Sequence, residues 1–415
     1  LPQVSWVLPS QDDSEHPSGP SSPYRGADFT HKVLDAITSN PKVWSKTVFI
    51  LTFDENDGLF DHIPAPAVPS YNIDNTLAGK STLDLKGMYF INEGSENNKL
   101  ENYLDKRDTI SGQVRPWGMG PRVPLYIISP WSKGGWVDSQ VADHTSVAQF
   151  IEKRFGVHIP AISPWHRSVS SDLTSAFDFA NPNDPVFPKL PVTSNFAEKD
   201  AASKLLPTAV APQTPAPLYQ EKGTRYSRAL PYNLNTGTIL LSNEHLLQLI
   251  FKNEGQAGAV FHVYDLNNLD KIPRRYTVEA GKSLTDEWKI NKEGYNLEVF
   301  GPNGYFRKYM GTGEMSEPGI MLQYEKDQAA ISFVIDNKGS QPAEVKIKSE
   351  AYQYDGPETL LIAPKKKTVT QWLLATNGNW YDLTITIGAK FLHRFAGRIE
   401  NGQHTISDPA MANHL

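Results

Sequence analysis

At 415 residues, with 39% hydrophobic and 21% charged residues, the chain has the composition of a folded protein of two or three domains. Its net charge of −6 offers no basic stripe for nucleic acid, and no apolar run approaches the roughly 18–20 residues that a membrane-spanning helix needs. There are no cysteines, which excludes disulfides and leaves the compartment open.

The chain begins Leu1-Pro-Gln-Val-Ser-Trp-Val-Leu8, with no starting methionine or leader ahead of it. Val4 to Leu8 reads as a core strand, so the chain is expected to be the rear part of something longer. A polar loop follows, with His16 at what would be the strand end and Pro17 biasing it towards extended backbone. A single loop histidine is most often an ordinary surface residue. Asp28 to Asn40 has Phe29, Val33, Leu34 and Ile37 at helical spacing and is read as the crossover helix of a βαβ unit.

The most informative stretch is Lys46 to His62. Val48 to Phe53 is an apolar, β-branched run expected as a buried strand in a parallel sheet. It runs straight into Asp54-Glu55-Asn56-Asp57-Gly58 and then Asp61-His62. Ligands of open α/β sheets sit beyond the carboxyl ends of the strands. Crowded carboxylates are relieved by a cation between them, so this set points to a divalent metal. An acidic, solvated turn with Asn-Asp-Gly serving turn geometry is the competing reading.

Residues 63 to 120 are rich in Pro, Gly and Asn and read as a long excursion over the strand ends. Within it Asp74 to Leu77 and Gly87 to Phe90 have no assignment. A third strand is predicted over Val123 to Ile128, and a helix over Val147 to Phe155 with Thr145 or Ser146 as N-cap. Asp143-His144 stands at that helix entrance. An Asp143 that merely caps is the simpler reading, and it leaves His144 unexplained. Residues 1–180 thus form an α/β domain, and the prolines of 181–231 form a linker around a short helix, Phe196 to Leu205.

Beyond Tyr232 the pattern turns to period-two strands and Gly/Asn turns. It occurs twice, over 232–315 and 325–405. Tyr295-Asn-Leu-Glu-Val corresponds to Tyr381-Asp-Leu-Thr-Ile, each followed by a turn, a Phe-Arg or His-Arg pair and a glycine. Two tandem antiparallel β-sandwich domains are predicted, serving either as a binding surface or as structural support.

Ser14-Glu-His16-Pro-Ser, Phe53-Asp-Glu-Asn-Asp-Gly-Leu-Phe-Asp-His62, Arg122-Val-Pro with Ser129-Pro-Trp-Ser-Lys-Gly-Gly-Trp136, and Asp143-His-Thr-Ser146, in this order, resemble the bacterial phosphocholine-preferring phospholipase C family. The tandem β domains extend the resemblance over essentially the whole chain. It implies an α/β fold, the rear part of an alkaline-phosphatase-like core, followed by the two β-sandwiches. It implies a metal-dependent phosphodiesterase that releases phosphocholine and diacylglycerol from phosphatidylcholine, with sphingomyelin as a second candidate substrate. Asp54 and Glu55 would be ligands of a divalent metal ion, calcium or zinc. His16 and His144 would contact the phosphoryl or leaving oxygens, while Asp143, Asp57, Asp61 and His62 would hold ligands and close turns. Trp117, Trp131, Trp136 and Trp165 are candidates for an aromatic choline cage. The family's Glu-Asn metal motif and its Ser or Thr nucleophile lie upstream of the matched region and are not in this chain. An N-terminal portion of the same enzyme is therefore an expected partner, together with the phospholipid headgroup and membrane surface, and family members are exported to the periplasm or medium. A phosphomonoesterase of the same superfamily and a non-catalytic lipid- or partner-binding module are the alternatives.

Overall fold

The computed structural model describes residues 2–56, 58–61, 63–72, 74–91, 114–181, 186–214, 223–352 and 359–411. Helices α1 (Pro23–Thr38) and α2 (Pro41–Trp44) come first, then strands β1 (Phe49–Thr52), β2 (Ser70–Tyr71), β3 (Leu77–Ser81), β4 (Tyr89–Ile91), β5 (Val114–Pro116) and β6 (Leu125–Ile128). Helices α3 (His144–Phe155), α4 (Pro164–Val169) and α5 (Phe196–Ser203) follow. The remainder is β-structure: β7 (Tyr226–Ser227), β8 (Leu234–Leu241), β9 (Leu246–Asn253), β10 (Ala259–Asp265), β11 (Arg274–Val278), β12 (Ser283–Lys289), β13 (Tyr295–Phe300) and β14 (Phe306–Gly311). A second series comprises β15 (Gly319–Glu325), β16 (Ala330–Asp336), β17 (Ala343–Ser349), β18 (Thr359–Ile362), β19 (Lys367–Leu373), β20 (Trp380–Ile387), β21 (Phe391–Arg398) and β22 (Thr405–Ile406).

The chain divides into two compact units. The first comprises Leu1–Thr52, Leu125–Gly134 and Asp178–Tyr219. Pro23 and Pro41 open its first two helices, where an amide is not needed, and Asn40 Oδ1 accepts from the N–H groups of Lys42 and Val43. Helix α5 packs on α1 through the rings of Tyr24 and Phe196, 5.5 Å apart, and Thr193 Oγ1 donates to Asp28 at 2.6 Å. The helical piece of the Pro-rich segment is thereby folded onto α1.

Two strand expectations fail in this unit. Val4 to Leu8 is not a strand, and Trp6 is 71% and Leu8 85% exposed. An apolar run becomes a strand only where a neighbour completes its hydrogen bonds and a core covers one face. The strand after it does form, as β1, but it pairs antiparallel with β6, Phe49 opposite Ile128 and Thr52 opposite Leu125. The described residues therefore contain α1 without the expected parallel βαβ pairing.

The second unit comprises Phe53–Pro124, Gly135–Phe177 and Gln220–Leu415. Its spine is a ten-stranded mixed sheet in the order β18-β17-β20-β21-β14-β13-β10-β11-β3-β2. Three-stranded sheets β12-β9-β8 and β15-β16-β19 supply the opposing layers. The sequence repeat is real, but the two modules are not separate sandwiches. Strand β14 of the first pairs with β21 of the second, Phe306 opposite Ala396, and one continuous apolar core runs from Leu247, Phe251 and Phe261 to Phe333, Ile385 and Phe395. Edge strands of two such modules are better satisfied by each other than by water.

Paired details mark the repeat. Asn253 Nδ2 donates to the carbonyls of Ala257 and Val278, and Asn337 Nδ2 to those of Gln341 and Ile362. Each side-chain oxygen accepts the N–H of the glycine two residues on, Gly255 or Gly339. Arg307 ties the copies together: fully buried, it donates to the Ala396 carbonyl at 2.7 Å and to the hydroxyls of Tyr324 and Tyr381.

At the other edge of the long sheet, β3 lies parallel to β11, Gly79 opposite Arg275. Here part of the 63–120 excursion becomes β-structure, and its unassigned pieces Asp74 to Leu77 and Gly87 to Phe90 lead into β3 and β4. Arg275 donates to Ser70 Oγ, Lys80 pairs with Asp286 at 2.8 Å, and Trp165 Nε1 on α4 donates to Thr277 Oγ1. Val68, Met88, Trp165, Val169 and Val260 form a small core beneath α4.

Candidate active site

In the second unit, Asp54 and Glu55 are exposed in a bend that directly follows β1 in sequence. The bend is closed by Asn56, whose Oδ1 accepts the Gly58 N–H at 3.1 Å, and Gly58 has φ 79, which a residue with a Cβ rarely adopts. Asn56 therefore serves the turn. Arg122 Nη1 donates to the Leu59 carbonyl, and its Nε lies 3.9 Å from Asp61 Oδ1. This arginine, which the sequence reading assigned no role, fastens the far end of the acidic loop. Asp57 and His62 lie outside the described residues.

Two adjacent carboxylates on a pinned loop present hard oxygen donors that suit a divalent cation. Among the described residues no three His, Cys, Asp or Glu side chains stand close enough to hold a metal ion.

Helix α3 starts one turn earlier than predicted, because Asp143 and not Thr145 or Ser146 is its N-cap. Asp143 Oδ1 accepts the Thr145 N–H at 2.9 Å, and Ser146 Oγ accepts the Asp143 N–H at 3.0 Å, a reciprocal cap. The second carboxylate oxygen lies 2.6 Å from Nδ1 of His166 on α4. Burial pushes the Asp143 carboxyl up, but hydrogen bonds from His166 and Thr145 and the adjacent imidazole outweigh it and hold the pKa below the ordinary value. Capping is thus a real role of Asp143, and the pairing with His166 is a further one. His166 escaped the sequence reading because nothing local links it to a carboxylate 23 positions earlier.

His144 occupies the first position of α3 and is exposed. The first amides of the helix are taken by its cap, the Thr145 N–H by Asp143 Oδ1 and the Ser146 N–H by the Asp143 carbonyl, so the anion at its positive end is Asp143 itself.

His16 belongs to the first unit. It is exposed, and its Nδ1 accepts the N–H of Ser18 at 3.3 Å, which places the proton of the neutral ring on Nε2. The preceding residue anchors this loop. The Glu15 side chain lies against Gly26 of α1, where any Cβ would collide with it, and the Glu15 N–H donates to Ser21 Oγ. Burial raises the Glu15 carboxyl pKa.

The candidate cage tryptophans have different fates. Trp165 is completely buried and belongs to the core beneath α4, so it is no choline ligand. Trp136 has the Arg228 guanidinium 4.3 Å over its ring, with Tyr226 and His404 at its sides. Trp131 packs against Phe179. Trp117 is 44% exposed and lies 4.5 Å from the ring of Phe90.

The class is that of a phosphoesterase carrying duplicated β domains. Residues 1–158 match the phosphoesterase family, and residues 226–312 and 318–398 match the C-terminal domain of bacterial phospholipase C. The chain thus carries a phosphoesterase-family region followed by the duplicated C-terminal domain of bacterial phospholipase C. It is 46% identical over 99% of its length to a non-hemolytic phospholipase C of Pseudomonas aeruginosa and 38% identical over 99% to one of Burkholderia pseudomallei. A hemolytic phospholipase C of Pseudomonas aeruginosa is 36% identical, again over 99% of this chain. The chain spans 58%, 57% and 58% of these three relatives.

Proposed function

We propose that the chain forms the C-terminal part of a metal-dependent phospholipase C that hydrolyses phosphatidylcholine to diacylglycerol and phosphocholine. The observation that carries this is the pair Asp54-Glu55 on a loop fastened by Asn56 and Arg122, in a chain with these relatives. The nucleophile and the remaining metal ligands come from the N-terminal part of the same enzyme, which completes an alkaline-phosphatase-like core. On this reading the enzyme works outside the cell, as exported members of the family do.

Asp54 and Glu55 would hold the divalent cation, which when bound offsets negative charge gathering on the phosphoryl oxygens. His16 offers Nε2–H to a phosphoryl oxygen. His144, in its protonated form, gives a proton to the glycerol oxygen as its bond to phosphorus breaks. The oxygen of the nucleophile would end on phosphorus as neutral diacylglycerol leaves, and a water molecule would then displace it, releasing phosphocholine and restoring the nucleophile. Asp143 and His166 hold the start of α3, and with it His144, in place. Trp117, exposed beside the half-buried Phe90, offers the kind of aromatic face that a trimethylammonium group prefers.

The test is phosphocholine release from phosphatidylcholine vesicles by this chain produced together with its N-terminal part, with and without a chelator. Asp54→Asn and Glu55→Gln should each lower kcat at least about 100-fold, as loss of charge stabilisation at a transition state does. Undiminished release in the chelator, or by either variant, would sink the metal assignment. Release of phosphate from monoesters with no action on the vesicles would favour the phosphatase alternative.

A further inference from the structure

The duplicated β modules act as an internal comparison, because the same backbone carries two different surfaces. On the outer face of the first three-stranded sheet, Gly237, Ile250 and Thr285 lie side by side across β8, β9 and β12. The matching row in the second module is Met321, Val334 and Val369 across β15, β16 and β19. Met321 is 52% and Val369 63% exposed, although residues of an outer sheet face are ordinarily polar. Met315, 69% exposed, stands in the turn that leads into β15.

The loops beside this row differ in charge as well. Where the first module has Glu254 after its buried Asn253, the second has Lys338 after Asn337. Where the first has Gly281-Lys282-Ser283, the second has Lys365-Lys366-Lys367. These loops meet at one end of the second module: the Asn337 N–H donates to the Lys366 carbonyl, and Lys365 Nζ to the Lys338 carbonyl. The nearby acids are partly spoken for. Asp336 pairs with Lys367 at 3.5 Å, and Glu317 is turned onto Thr312 Oγ1 and Tyr295 OH, leaving Glu314 exposed beside Met315.

We propose that the Met321–Val369 row, with Met315 and the lysines Lys338, Lys365 and Lys366, is a docking surface for an anionic phospholipid bilayer. Methionine and valine enter the headgroup boundary while the ammonium groups meet lipid phosphates, the composition that interfacial binding requires. The choice of a bilayer over an acidic protein rests on the phospholipase reading.

Vesicle co-sedimentation of this 415-residue chain in a chelator tests binding apart from hydrolysis. Vesicles of phosphatidylcholine alone are compared with vesicles also containing phosphatidylglycerol. The chain should bind the anionic vesicles more tightly, and Lys338→Gln, Lys365→Gln and Lys366→Gln should each weaken that binding about fivefold. Met321→Ser with Val369→Ser should weaken binding to both vesicle types. The matched change in the first module, Lys282→Gln, should alter neither. Variants that bind like the wild type, a wild type that ignores vesicles, or a wild type that instead dimerises or is retained only by polyglutamate would overturn the proposal. Because Asp54→Asn should abolish hydrolysis and leave sedimentation unchanged, failure of the docking surface and failure of the catalytic reading are separate outcomes.

Discussion

Asp143 and His166 meet at 2.6 Å between Oδ2 and Nδ1, so one carboxylate both caps α3 and binds the helix that follows it. Its pKa lies below the ordinary value, so the folded state favours the ionised form. That contribution is present above the unfolded value, about 3.9, and is lost as pH falls through the depressed folded value. Asp143→Asn should therefore lower stability by about 1–2 kcal/mol at neutral pH. Thermal unfolding of both proteins from pH 7 to pH 3 should show the difference shrinking at the acid end; a constant gap would mean that the ionised form has no special role.

His393 sits in the shared β core with neither ring nitrogen hydrogen-bonded, between Tyr309 and Phe391, and burial depresses its pKa to about 3. His262 on β10 is depressed to about 4, also chiefly by burial. Both must charge on unfolding below about pH 6.5, so stability is full above that value and falls as pH drops towards the folded values. Each contributes a slope of about 1.4 kcal/mol per pH unit. Urea unfolding of His393→Phe between pH 7 and pH 4.5 should show a shallower pH dependence than wild type.

Asn253 and Asn337 clamp the same turn in the two modules. Replacing either by alanine strands one buried carbonyl, Val278 or Ile362, together with part-buried partners that include a glycine N–H, at about 1–3 kcal/mol for the buried group left unmade. Aspartate should be worse, because it sets a charged oxygen against the carbonyls that the amide now serves. Equal denaturation midpoints for the Asn and Ala forms would show that water substitutes for the amide.

Gly79 has φ 122, and a Cβ there would run into the Arg275 carbonyl across the parallel β3–β11 pair. Gly79→Ala should release the β2–β3 hairpin from the edge of the long sheet at a loss of about 2–3 kcal/mol. Limited proteolysis within residues 63–90 should rise in the variant, whereas protection equal to wild type would show that the edge adapts.

Much of this protein is legible in its sequence because local patterns carry it. The period-two runs beyond Tyr232 and their duplication predict the β modules, and the spacing of Phe29, Val33, Leu34 and Ile37 predicts α1. The order of the His16, Asp54-Glu55, Arg122 to Trp136 and Asp143-His144 motifs points to the family. Each of these signals lies within a few residues of itself.

What only the tertiary structure decided involves partners distant in sequence. Val4 to Leu8 has strand composition and no strand pairing, since pairing is a property of two segments. The sequence presents two modules, and the β14–β21 pairing together with buried Arg307 makes them one core. Trp165 looks like a ligand in the sequence and is a core residue, because Thr277 and Val260 cover it. Arg122 and His166 acquire their roles from Leu59 and Asp143, across separations that no local period records. Secondary structure and motif chemistry follow from neighbours along the chain; edges, ion pairs and burial depend on which distant segments the fold brings together.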